Sequence, residues 1–214
     1  MSKPDTRERI LDAAEQLIAE NGIGSTSLRH IIAAAEVNLA AVHYHFGSKQ
    51  ALVEEVYARH IKPVNRERLS RLEALKMASR GEAVELEALL DAFLCPIVLM
   101  EAENPERKKL VKKLFGRIHA ESGEIREVIL GQFREVLDYY IPAFRKALPH
   151  LPPREVIWRF QFMMGSMFMT MIAPPEFSKF TRMTENNHDT RLLLKSLVAF
   201  TAAGFRAEMT LLAN

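Results

Sequence analysis

Apolar residues recur three and four positions apart along almost the whole chain, as at Ile10, Ala14, Leu17 and Ile18, and no stretch shows the strict alternation of a half-buried strand. A chain with that one period buries its apolar surface by packing helix on helix, so the expected fold class is all-α. Its 214 residues, 48% of them hydrophobic, suffice for a small domain joined to a larger one. Lys and Arg number 29 against 27 Asp and Glu, a net charge of +2, so bulk electrostatics do not call for a polyanionic partner and any such partner must be argued locally. The single cysteine, Cys95, excludes an intramolecular disulfide and multi-cysteine zinc patterns. The first residues lack the apolar run of a secretory signal, and Phe160 to Ala173, interrupted by Gln161, Ser166 and Thr170, falls short of the roughly 20 apolar residues that a bilayer requires. The expectation is a cytoplasmic protein with no membrane partner.

Punctuation divides the chain. Asn21-Gly22-Ile23-Gly24 ends a first helix of about 5–20, and Gly47-Ser48 separates a short helix from a long one. Further breaks fall at Asn104-Pro105, Ser122-Gly123, Leu148 to Pro153 and Ala173-Pro174-Pro175. Between them the pattern predicts three short helices, then longer ones at about 48–78, 83–102, 106–120, 124–147, 153–173 and 189–212, nine in all. Pro63 and Pro142 fall inside two of these and are expected to kink or divide them. The change from short to long helices suggests a small domain at residues 1–50 and a larger one at 51–214, with the boundary inside the fourth helix.

Residues 26–49 have the spacing of two short helices joined by a tight turn at Glu36 and Val37. Thr26 can cap the first, with Leu28, Ile31 and Ile32 inward; Asn38 can cap the second, with Val42 and Phe46 inward. The second helix starts with small Ala40 and Ala41 and turns His43, Tyr44 and His45 away from the buried pair. Small residues allow close approach to bases, an α-helix fits the major groove, and neutral donors and helix N-termini meet phosphate without many positive charges. His43 and His45, two apart, point to different sides of a helix, so no metal site is expected there. The bland alternative is a helical bundle that never meets DNA.

The stretch from Thr6 to Leu52 resembles the DNA-binding domain of TetR-family transcriptional regulators. The residues that carry the resemblance are Arg9-Ile10-Leu11-Asp12-Ala13-Ala14, Thr26-Ser27-Leu28-Arg29, and Val37-Asn38-Leu39-Ala40-Ala41-Val42-His43-Tyr44-His45-Phe46-Gly47-Ser48-Lys49. It implies phosphate and base-edge contacts from His43, Tyr44, His45 and Lys49. Thr26 and Ser27 would hold the N-terminus of the second helix, and Asn38, Leu39, Ala40 and Ala41 would face the groove floor. His43 and Ala40-Ala41 depart from the Tyr and Gly-Thr of many members.

Arg159 to Ile172 is apolar nearly all round a helix and must be covered on two sides, with Met163, Met164, Met167, Met169 and Met171 as adaptable lining. On the last helix Ser196, Ala199, Ala203, Gly204 and Ala207 recur at three and four, and with Trp158, Phe162, Gly165 and Met169 they suggest a four-helix homodimer interface. Dimerisation also follows from DNA binding, because two recognition helices must reach successive major grooves of a palindromic operator roughly 34 Å apart. The family likewise dimerises through its last two helices.

Phe93, Ile97, Phe115, Ile118, Phe133 and Leu137, with Met164, Met167, Phe168 and Met171, are the candidate lining of an effector pocket; the same residues could fill a core. No charged residue is evident among them, so the lining suits a small apolar effector. Leu151-Pro152-Pro153, Trp158-Arg159, Phe162-Met163-Met164-Gly165 and Ala202-Ala203-Gly204-Phe205-Arg206 are similar to the fatty-acid-responsive PsrA-type repressors, which implies a long-chain fatty acid or acyl derivative. Arg107, Lys108, Lys109, Lys112 and Lys113 read as a solvated face, with an acyl-CoA headgroup patch as the rival. No cofactor and no catalytic residue is expected: Cys95 has no neighbouring His, and no glycine-rich phosphate loop or metal-ligand spacing occurs. The expected function is a ligand-responsive repressor; a lipid carrier without DNA binding is the alternative.

Overall fold

The computed structural model describes residues 5–100, 105–118, 121, 123–172 and 189–209. Every regular element among them is helical: α1 Thr6–Asn21, α2 Leu28–Ala35, α3 Leu39–Phe46, α4 Lys49–Ala78, α5 Leu86–Met100, α6 Pro105–Arg117, α7 Gly123–Gly131, α8 Arg134–Ala147, α9 Pro153–Ile172 and α10 Thr190–Arg206. None is long and apolar enough to cross a membrane. The breaks expected at Asn104, Ser122 and Ala173 to Pro175, and the side chains of Arg107 and Lys108, lie outside the described residues.

Neither proline divides its helix. α4 runs unbroken through Pro63, and Pro142 lies inside α8. The segment expected as one helix at about 124–147 instead divides at Gln132 and Phe133, whose amides turn back to the Ile129 and Leu130 carbonyls at 3.2 and 3.0 Å. An internal proline costs one backbone bond, which packing on several sides can offset. The last helix ends at Arg206, short of the expected 212.

The chain forms two compact units, dividing within α4 at Pro63 rather than near residue 50, and α6 and α7 belong with the first. In that first unit Ile10, Ala14 and Ile18 of α1 are buried with Ile31 of α2, Val42 of α3 and Leu52, Val56 and Tyr57 of α4. Full burial of each large aliphatic side chain contributes roughly 1.5–3 kcal/mol. Charge then cross-braces α1 to α4. Arg59 reaches Asp12 at 2.6 Å, Glu8 at 2.9 Å and Glu15 at 3.0 Å, while buried His60 meets the other oxygen of Glu15 at 2.8 Å. Burial alone would raise the Glu15 carboxyl; His60 and Arg59 outweigh it and hold it below the ordinary value.

α6 closes the far end of this unit. Val111, Leu114, Phe115 and Ile118 are buried, Lys109 and Lys113 are exposed opposite them, and the Tyr57 hydroxyl donates to the Leu114 carbonyl at 3.1 Å. Arg117 donates to the Ala19 and Glu20 carbonyls at 3.1 and 2.6 Å, supplying donors that the last turn of α1 lacks. Gly22 follows at φ 83°, and a Cβ there would lie 3.2 Å from the Arg117 guanidinium, so conformation and space both call for glycine.

The second unit is built on aromatic contacts. Phe93 meets Tyr140 and Phe160 edge to face, both at 5.1 Å, and Phe144 stacks on Phe205 at 5.2 Å. α10 packs on α5 and α9. Contrary to the sequence reading, a charge is buried here: Arg68 of α4 is 0% exposed. A second buried guanidinium, Arg159, is paired with Glu155 at 3.3 Å and donates to the Phe205 carbonyl at 2.7 Å.

Candidate nucleic-acid interface

Three successive helix starts are organised by polar caps. The Ser27 hydroxyl accepts from the His30 amide at 3.2 Å, Asn38 Oδ1 from the Ala41 amide at 2.8 Å, and the Ser48 hydroxyl from the Ala51 amide at 3.1 Å. Ser27, not Thr26, therefore caps α2. Thr26 is 1% exposed, and its hydroxyl donates inward to the Gly22 carbonyl at 2.8 Å with the Leu17 carbonyl at 3.2 Å. Its place is in the loop, behind the surface rather than on it.

The turn between α2 and α3 is fixed by backbone conformation and by a distant cation. Glu36 is left-handed at φ 52°, returning its amide to the Ala33 and Ile32 carbonyls, and Arg9 of α1 grips the Ala35 and Glu36 carbonyls. That turn presents α3 with Val42 and Phe46 buried, while Leu39, Ala40, His43 and Tyr44 are exposed and Ala41 and His45 are half-buried. Tyr44 is 86% exposed, an unusual position for a large ring that serves no interior. His43 Nδ1 lies 2.9 Å from the Gly47 carbonyl, so the ring donates its Nδ1 proton to that carbonyl.

Lys49 holds more structure than expected. Its ammonium donates to the Ile23 carbonyl at 2.7 Å, while the Ile23 amide donates to Glu121 at 3.1 Å, so the loop before α2 is held from both sides. An ammonium has three donors, and the remaining two are free of that bond. Arg29, exposed on α2 beside the capping Ser27, is a cation on this face that the sequence reading did not select. Its signal was its place one residue inside a capped helix start.

The other expected sites map as follows. Phe93, Ile97, Met167 and Met171 are buried in the second unit's apolar cluster, with Leu137 and Met164 packed against it and Phe168 half-buried on α9. Phe115 and Ile118 are buried in the first unit, where Phe115 meets Tyr57 edge to face at 5.8 Å, and Phe133 is half-buried there. The ten candidate lining residues thus do not form one cluster within either unit. Trp158, Phe162, Gly165 and Met169 of α9 and Ser196, Ala199, Ala203 and Gly204 of α10, with Ala207 just past its end, are all exposed. Sequence reasoning missed Leu192, Leu193 and Phe200 beside them, the last 68% exposed.

A short helix capped by Asn38, propped on Val42 and Phe46 and led in by a tight left-handed turn defines a helix-turn-helix protein. Residues 10–56 match the family model of bacterial regulatory proteins of the tetR family, and residues 91–204 match that of the tetracyclin repressor-like C-terminal domain. The chain belongs to the TetR family of transcriptional regulators. It is 42% identical over 53 residues to the HTH-type transcriptional regulator AcrR of Shigella flexneri, covering 25% of each chain, so the likeness spans about a quarter of that relative. The fold is shared with the fatty acid degradation regulator FadR of Bacillus halodurans (TM-score 0.66, 17% identity, 97% of this chain and 100% of that one). It is shared also with the transcriptional regulator FadR of Bacillus subtilis, solved with stearoyl-CoA (TM-score 0.60, 15% identity, 92% and 98%).

Proposed function

We propose that this protein is a repressor that binds a palindromic operator as a homodimer and releases it when an apolar effector, of the long-chain fatty-acid class, binds its second unit. The observation that carries the DNA reading is the α3 face, where Tyr44 stands 86% exposed above a buried Val42 and Phe46. Ser27, Asn38, Leu39, Ala40, Ala41, His43, Tyr44, His45 and Lys49 form the DNA surface in this reading, with Thr26 as its support. The caps set the backbone, α3 enters the major groove, and neutral side chains complete contacts that a net charge of +2 would not steer at long range.

Dimerisation is supported by the outer face of α9 and α10. Trp158, Phe162, Met169, Leu192, Leu193 and Phe200 are large apolar side chains left exposed beside the small Ser196, Ala199, Ala203 and Gly204. A patch of this kind marks an interface, and the small residues let helices approach closely. The effector class is supported by the buried Met163, Met167 and Met171 beside Phe93 and Ile97, and by the stearoyl-CoA bound to a regulator of the same fold. Release then follows from linkage: a ligand that favours the conformation with the wrong spacing between DNA heads lowers operator affinity by its differential affinity. α4, continuous from Lys49 to Ala78, has residues in both units and is the proposed route of that coupling.

An electrophoretic shift with DNA flanking the protein's own coding region tests the reading. The wild type retards this DNA, and Tyr44→Ala weakens binding at least about tenfold while sedimenting as the same dimer. Equal binding by Tyr44→Ala overturns the assignment of the α3 face. No retardation of any flanking DNA favours a carrier.

A further inference from the structure

Among the described residues Arg68 is the largest fully buried side chain, and no carboxylate pairs with it. Its Nε donates to the Phe93 carbonyl at 2.8 Å, Nη1 donates to Asn65 Oδ1 at 3.3 Å, and Nη2 faces only the Met167 thioether at 3.8 Å. The guanidinium also lies 4.0 Å from the centre of the Phe93 ring. A guanidinium has five N–H donors; here two reach oxygen and one reaches sulfur, a weak acceptor. Burial pushes the group down to about 10, so it still carries its charge at neutral pH.

A structural staple between α4 and α5 would explain the bond to Phe93, but not a cation held without a countercharge. Burying a charge unpaired is costly, and chains generally supply a partner, as this one does when it sets Glu155 against Arg159. The neighbourhood of Arg68 offers the features of a ligand head site. Its weakest acceptor is a methionine, whose flexible chain moves aside at low cost, and Met163, Met167 and Met171 form a buried apolar stripe at four-residue intervals along α9.

We propose that Arg68 is the anchor for a carboxylate, and that the effector is a free acid with an apolar tail, its head displacing the Met167 sulfur and its tail lying along the methionine stripe. This inference rests on the apolar-effector reading above and sharpens it. A carboxylate restores neutrality and accepts two parallel N–H bonds from the guanidinium, which an ester or thioester carbonyl does not do. A phosphate carries more charge than one guanidinium compensates in an apolar surround.

Calorimetric titration of the full-length protein with dodecanoate, methyl dodecanoate and dodecanoyl-CoA tests this. In the wild type dodecanoate binds at least about tenfold more tightly than the ester, as expected for charge-assisted bonds, and more tightly than the thioester. Arg68→Met abolishes the preference for acid over ester while ester binding persists; Arg68→Lys keeps part of it. A merely structural Arg68 would change stability without moving that ratio. Equal binding of acid and ester by the wild type, a preference for the thioester, or a preference that survives Arg68→Met overturns the proposal and leaves the apolar-effector reading standing. Binding of none of the three overturns both. Should Arg68→Met not fold, the wild-type ratio decides alone.

Discussion

The two units solve the same problem, holding helices together, with different chemistry. In the first, α1 is tied to its neighbours by directional bonds: Arg59 to three carboxylates, His60 to Glu15, Arg9 to the α2 terminus, Arg117 to the α1 terminus. In the second, the interior is aliphatic chains, aromatic rings and thioethers, and Arg68 has no opposite charge beside it among the described residues. Directional bonds have narrow optima, so they suit a surface that must present α3 at a fixed angle to a rigid duplex. Apolar contacts are non-directional and Met chains are flexible, so an interior of Phe and Met can rearrange its side chains without breaking a directional bond.

The largest effect should come from the second unit's interior. Phe93→Ala removes a ring that is 1% exposed, and urea denaturation should show a loss of about 3–5 kcal/mol. A small loss would mean that the interior collapses readily around the gap, sharpening the contrast with the braced first unit.

Next is the charge brace. Glu15→Gln should cost about 2 kcal/mol at neutral pH, because Arg59 loses a buried carboxylate partner and the hydrogen bond between His60 and Glu15 is weakened. The Glu15 carboxyl is held below its ordinary value of 4.5, so its contribution is present above that pH and fades as the pH falls through the folded value. Acid titration of stability should accordingly be steeper below about pH 4.5 for the wild type than for Glu15→Gln. Parallel curves would remove the brace from the account.

Smaller again, Arg117→Ala should cost about 1 kcal/mol by leaving the α1 carbonyls without those donors. Hydrogen exchange at the amides of residues 23–27 reports whether the loop loosens with it. The smallest change concerns Lys49. Lys49→Ala loses the bond to Ile23 and, in the proposed DNA reading, one phosphate contact, so the slope of log affinity against log salt should become shallower by about one unit. An unchanged slope would give Lys49 a purely structural role.

Much of the head was legible because its signals are local. Asn38 caps α3 as its spacing predicts, and Val42 and Phe46 turn inward because they lie four apart on a helix. Thr26 and Ser27 show the limit: both residue types can cap a helix, and the loop geometry that gives the cap to Ser27 and buries Thr26 depends on α1 behind it. The exposed side of α9 was legible from apolar residues on two faces, whereas Phe200 was not, because a Phe on a helix reads as core, as Phe205 on the same helix is. Arg68 was invisible to the sequence reading for the same reason in reverse: among Arg66, Glu67 and Arg71 it reads as one more charge on a solvated turn.

The order of residues alone therefore settled the helical class, the turn before α3 and the face that α3 exposes, since each depends on contacts within a few positions of chain. Folding in three dimensions decided that α6 and α7 join the first unit, that Pro63 and Pro142 sit within continuous helices, and that Arg68 lies against Phe93 and Met167. Those outcomes depend on partners dozens of residues away, where the energy of burial and pairing overrides what any local stretch prefers.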